Sequence, residues 1–201
     1  MMWSPSGASA AISTGLVVAL TWNHPPELQQ TIDIVRRAGF FLALGAPFLL
    51  EDPAASTIES SPTTLFVRRS LRLGIGISAI IPVWAAIIGY AAVRMNGGRL
   101  PVGALTLEFA AILMVGSVLA AGSIALGYPG GPSGSVALFL LSWALPWMPH
   151  RWTLLGGAPG DAEWAAAHLR WAAAVAMALG LMIAFSLDPA RRGLRARFRH
   201  I

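Results

Sequence analysis

Cysteine is absent from this chain of 201 residues, and so is lysine: all fourteen basic residues are arginine. Without cysteine there are no disulfides, iron–sulfur clusters, thiolate metal sites or thiol nucleophiles. Without lysine the phosphate-binding loop of P-loop ATPases cannot be built, so the chain does not hydrolyse ATP by that route. Charge of either sign is scarce. Asp, Glu and Arg make up 11% of the residues, where a soluble domain carries about 25%. The net charge is +5. The arginines stand between and after apolar stretches instead of on one face of a folded domain. That placement fits membrane orientation and not nucleic-acid binding.

What fills the chain is hydrophobic: 56% of it. Residues 73–93, LGIGISAIIPVWAAIIGYAAV, contain no charged side chain, and neither do 109–127 or 171–187. At a rise of about 1.5 Å per residue, a 21-residue helix is about 30 Å long, the hydrocarbon thickness of a bilayer. The expected fold is an all-α, polytopic transmembrane helical bundle. It forms a single domain over 1–201 in a plasma membrane. About six spans are expected, at 7–22, 34–50, 73–93, 103–127, 135–148 and 164–187. The first run has no Lys or Arg before it, unlike a signal peptide, so the first span is expected to be retained. The clean apolar part of the second, AGFFLALGAPFLL, is short, and Arg36 and Arg37 would have to snorkel to an interface. A five-span alternative lets residues 38–50 dip without crossing.

The connectors are polar. Residues 23–35 contain Pro25 and Pro26, and 128–134, YPGGPSG, read as a tight loop. Residues 51–72 begin Glu51-Asp52-Pro53, in which Asp52 has the form of an N-cap and Pro53 of a first helical position. Ser61-Pro62-Thr63 then breaks that helix, and Arg68, Arg69 and Arg72 follow. This reads as a surface loop with one or two short helices. With six spans, Arg68, Arg69, Arg72, Arg191, Arg192, Arg195, Arg197 and Arg199 share one side. Arg36, Arg37, Arg94, Arg99, Arg151 and Arg170 share the other. The larger set places both termini, the 51–72 loop and the basic tail 188–201 in the cytoplasm. Within the spans, Pro82 removes a backbone hydrogen bond, and small residues at Gly116 and Ala120 allow close helix approach.

Glu108 is the acid inside an apolar run, LTLEFAAIL. An ionisable group at that depth costs about 2–4 kcal/mol unless it faces protein or water. It is either a proton or cation contact in a translocation path, or a helix-holding acid near the interface, protonated or paired with Arg94, Arg99 or Arg170. The four histidines, His24, His150, His168 and His200, fall in loops or at span ends, which does not fit haem ligation. His150 and His168 would need Asp161 or Glu163 to complete a metal site; solvated loop residues are the simpler reading. No cofactor or metal is expected. No nucleophile has a base beside it, so no catalytic residue is assigned and the chain is not expected to be an enzyme. Gly74 and Gly76 read as helix-packing residues.

The stretch Leu50-Glu51-Asp52-Pro53-Ala54-Ala55, then Ser61-Pro62-Thr63 and Arg68-Arg69, resembles small actinobacterial integral membrane proteins described as permease-type subunits of ABC exporters. Glu108 early in a span, the Pro146-Trp147 to Trp152 stretch, and Asp188-Pro189-Ala190-Arg191-Arg192 extend the likeness over most of 30–195. The resemblance implies a membrane-spanning permease subunit of an ATP-driven exporter. It would pair with itself or a sister subunit and be driven by a separate ATP-binding subunit. That ATPase would dock on the 51–72 loop, making Glu51, Asp52, Pro53, Arg68 and Arg69 the coupling residues. The alternative is an accessory or scaffold subunit of a larger membrane complex without transport of its own.

Overall fold

In a computed structural model of the chain, describing residues 5–22, 25–50, 65–149 and 153–186, the fold is all-helical. The helices are α1 (Pro5–Thr21), α2 (Leu28–Ala43), α3 (Leu65–Arg94), α4 (Val102–Ala125), α5 (Gly130–Ala144) and α6 (Ala162–Ser186). Short 3₁₀ turns at Ala46–Leu50 and Leu145–Trp147 follow α2 and α5. Segments Ser70–Arg94, Val102–Ala125 and Ala162–Phe185, within α3, α4 and α6, are three helices long and apolar enough to cross a membrane. This is a membrane protein. Ile75, Ile81, Leu140, Trp143, Leu169 and Ile183 all point outward, a surface that suits lipid and not water.

Helix directions follow from contacts. Glu108 of α4 meets His168 of α6, and one helix length further on Gly122 faces Phe185, so α4 and α6 run the same way. The Asn96 amide donates to the Pro26 carbonyl at 3.0 Å just before α4 begins, and Pro47 lies against Gly116. The segment 28–50 therefore runs with them. The other helices run oppositely. Arg94, ending α3, binds the carbonyls of Thr21 and Trp22 at the end of α1 (2.7 and 2.8 Å), which satisfies acceptors every helix end leaves open. Gly134 and Leu138 of α5 descend past Ala120 and Gly116 of α4. α4 is the central helix: 44% of its most apolar stretch is buried, against 28% in α3 and 17% in α6.

Three expectations change. The polar connector ends at Glu27, not 35, because α2 is amphipathic instead of uniformly apolar. The Glu27 amide donates to Gln30 Oε1, and Ile32, Val35, Ala38 and Leu42 are buried at helical spacing. The expected loop 128–134 is largely helix: α5 starts at Gly130, with Pro132 in its first turn where its missing N–H costs nothing. There a Cβ at Gly134 would sit 3.0 Å from the Ala120 amide nitrogen and from Pro47 Cβ. Residues 65–72 belong to α3, one helix of 30 residues that runs on through Pro82, so the connector before it is shorter than 51–72.

Residues 28–50 form a broken helix. α2 stops at Ala43, and the chain resumes as the 3₁₀ turn 46–50. The freed Leu44 carbonyl accepts the Ser135 hydroxyl at 2.9 Å, which meets the requirement that buried backbone groups be paired inside protein. Gly45 sits against α1, where a Cβ would collide with the Ser9 hydroxyl. Hydroxyls elsewhere bond back to their own helices, as Ser13 to Ser9, Thr21 to Val17 and Ser117 to Leu113.

Candidate functional site

Arg36, Glu108 and His168 lie on α2, α4 and α6 and meet in one layer of the bundle. Glu108 and His168 each lie six residues inside their helix starts, about 9 Å along the axis. The three helices run in the same direction, and Arg36 lies eight residues inside the start of α2.

Arg36 grips Glu108 with a two-pronged bond: Nε donates to Oε2 and Nη2 to Oε1, both at 2.7 Å. Their side chains are 12% and 3% exposed, so the pair is withdrawn from water. A planar guanidinium matches a carboxylate in this way, and lysine could not. Asp33, one turn earlier on α2 and half-exposed, comes within 3.9 Å of Arg36. The Arg36 guanidinium also lies over the Trp164 ring, 5.2 Å from its centroid, a cation–π placement.

His168 completes the cluster. Its Nδ1 lies 2.7 Å from the Trp164 carbonyl, its ring packs on the Trp164 indole with centroids 4.4 Å apart, and its Nε2 lies 3.1 Å from Glu108 Oε1. That Nε2 is buried and makes no well-directed hydrogen bond. On a neighbouring face, Trp84 stacks on Phe109 with centroids 4.3 Å apart and donates to the Thr106 hydroxyl at 3.2 Å. Gly39, nearly one turn beyond Arg36, leaves the space that the Trp84 ring enters.

Glu108 is buried in the cluster, but its partners are not the expected Arg94, Arg99 or Arg170. Arg94 is committed to α1, Arg170 donates to the Thr153 carbonyl at 2.7 Å, and Arg99 is exposed. Arg36 does not snorkel to an interface; it turns inward to the acid, while the adjacent Arg37 is exposed. His168 is inside α6 and faces Glu108, not a solvated loop residue. His150 lies outside the described residues. Among the described residues no group of three or more His, Asp or Glu is placed to hold a metal. The signal that could have found Arg36 is the helical spacing of Ile32, Val35 and Leu42, which puts Arg36 beside the buried face of α2.

Glu51, Asp52 and Pro53 lie outside the described residues. Arg68 and Arg69 fall in the first turns of α3, and their side chains lie outside the described ones. Gly76 is a packing position: a Cβ there would collide with Leu49, whereas Gly74 faces open space. The cluster can hold three helices at a common height. No family model matches this chain, and comparison with curated proteins and with solved structures found no similar chain.

Proposed function

We propose that this protein is a multi-pass permease-type subunit of a plasma-membrane transport complex, with about six crossings and both termini cytoplasmic. The observation that carries the reading is the buried Arg36–Glu108–His168 cluster beside a broken helix. Charges withdrawn from lipid into a bundle, and helices interrupted at membrane depth, are features that many transport paths share. The second crossing would be made by α2 together with the 3₁₀ turn 46–50, neither of which is long enough alone.

Energy would come from a separate ATP-binding subunit, since the chain has no lysine for a phosphate loop. The segment 51–72 would receive that subunit, and a second copy or a sister subunit would complete the path. Movement would take the form of packed helices rocking about the cluster. Purification of the tagged chain from native membranes in mild detergent, with mass spectrometry of what accompanies it, tests this. A stoichiometric ATP-binding subunit supports the exporter reading, and exchange of Asp52 and Arg68 for Ala should then uncouple ATP hydrolysis from transport. Reproducible recovery of other membrane proteins with no ATPase would overturn it.

The second reading is an accessory subunit that holds a larger complex together. The closed, two-pronged geometry of Arg36 on Glu108 favours it, because such a pair fastens helices. Under this reading Glu108→Gln changes assembly and leaves flux per assembled complex unaltered.

A further inference from the structure

We infer that the Glu108–His168 contact is a proton-binding site, with one exchangeable proton held on His168 Nε2. The argument begins at the other ring nitrogen. Nδ1 lies 2.7 Å from the Trp164 carbonyl oxygen, which can only accept, so Nδ1 carries a hydrogen. That leaves Nε2 either as a bare lone pair or as N–H. It faces Glu108 Oε1 at 3.1 Å, and both oxygens of that carboxyl group accept from the paired donors of Arg36. A lone pair against a carboxylate oxygen at this distance is repulsive. A proton on Nε2 turns the same contact into attraction.

Charge balance points the same way. Two carboxylates, Asp33 and Glu108, stand with two cations when His168 is protonated, so the cluster is neutral as a whole. Among the described residues, the groups on the neighbouring elements are these. α2 contributes Arg36 and Asp33, α4 contributes Glu108, and α6 contributes His168 with the Trp164 carbonyl. α3 contributes the indole of Trp84, bonded to Thr106, and Arg170 is directed to Thr153. Nε2 has no well-directed partner, so its proton is not locked in a linear bond. Loss of the proton sets α6 against α4 at this layer, and gain of it draws α6 in.

The inference stands on this geometry and does not depend on the ATPase reading. The test is nitrogen-15 NMR of the full-length protein in detergent micelles, with labelled histidine. The variant His24→Gln/His150→Gln/His200→Gln leaves His168 as the imidazole observed. At neutral pH both ring nitrogens should be protonated. Glu108→Gln should leave Nδ1 protonated and Nε2 bare, because the attracting charge is gone. A bare Nε2 beside an intact Glu108 at neutral pH would overturn the proposal, and this spectrum decides it even if Glu108→Gln does not fold. An Nε2 proton that persists in a folded Glu108→Gln protein would equally overturn the role given to Glu108.

Discussion

Arg36 and Glu108, 72 residues apart in the chain, face each other with both guanidinium donors on both carboxylate oxygens at 2.7 Å. The pair joins the amphipathic α2 to the apolar α4. It is the point at which a helix too polar to look like a span is tied into the membrane-embedded bundle.

Breaking that pair from one side should cost more than removing it whole. Arg36→Met or Glu108→Leu alone leaves a buried charge without its partner, at a cost of about 3–5 kcal/mol. The double variant Arg36→Met/Glu108→Leu should recover most of that loss, because apolar side chains of similar volume suit the site. Reversible unfolding in mixed micelles, run as a double-mutant cycle, measures it. Additive single effects would show that the two charges do not depend on each other.

Arg36→Lys should keep the charge and still destabilise, by about 1–2 kcal/mol. A single ammonium replaces the two-pronged fit, and the Trp164 stacking partner is lost with it. Equal stability of Arg36→Lys and the wild type, by the same unfolding measurement, would mean that only charge matters at this position.

Gly134 and Gly89 should respond in opposite directions to alanine. A Cβ at Gly134 meets the Ala120 backbone and Pro47 at 3.0 Å, so Gly134→Ala should push α5 from α4 and cost about 1–3 kcal/mol. Gly89, within α3, has nothing within 4 Å, so Gly89→Ala should be neutral or stabilise by up to ~1 kcal/mol through helix propensity. Thermal unfolding midpoints in detergent compare the two directly.

The absence of cysteine makes the membrane arrangement easy to read. Asn96 and Ala158 are exposed near the starts of α4 and α6, and Tyr128 is exposed at the opposite end of the bundle. In intact cells an impermeant maleimide should label Asn96→Cys and Ala158→Cys alike and leave Tyr128→Cys unlabelled until the membrane is opened. Labelling of all three from outside would contradict a crossing by α4.

Apolar runs made the long helices legible. The expected spans 73–93, 103–127 and 164–187 fall almost wholly within α3, α4 and α6, since a charge-free run of that length has no stable alternative in lipid. α2 was harder to read because half of its surface is polar, and a criterion of uniform apolarity discards Ile32 and Val35 along with Gln29 and Asp33. The start of α5 was hidden by Gly130, Gly131 and Pro132. Such residues mark turns in water, yet here glycine lets two helices touch and proline stands in a first turn.

From the sequence alone came the all-helical, lipid-embedded class and the identification of Glu108 as the acid within an apolar run, because both rest on local composition and the cost of charge in hydrocarbon. The partners of that acid came only from the tertiary structure. Arg36 and His168 reach Glu108 because the packing of α2, α4 and α6 presents them at one height. No local rule of propensity or hydropathy encodes that alignment. It arises from how the helices pack, and with it the charges find each other.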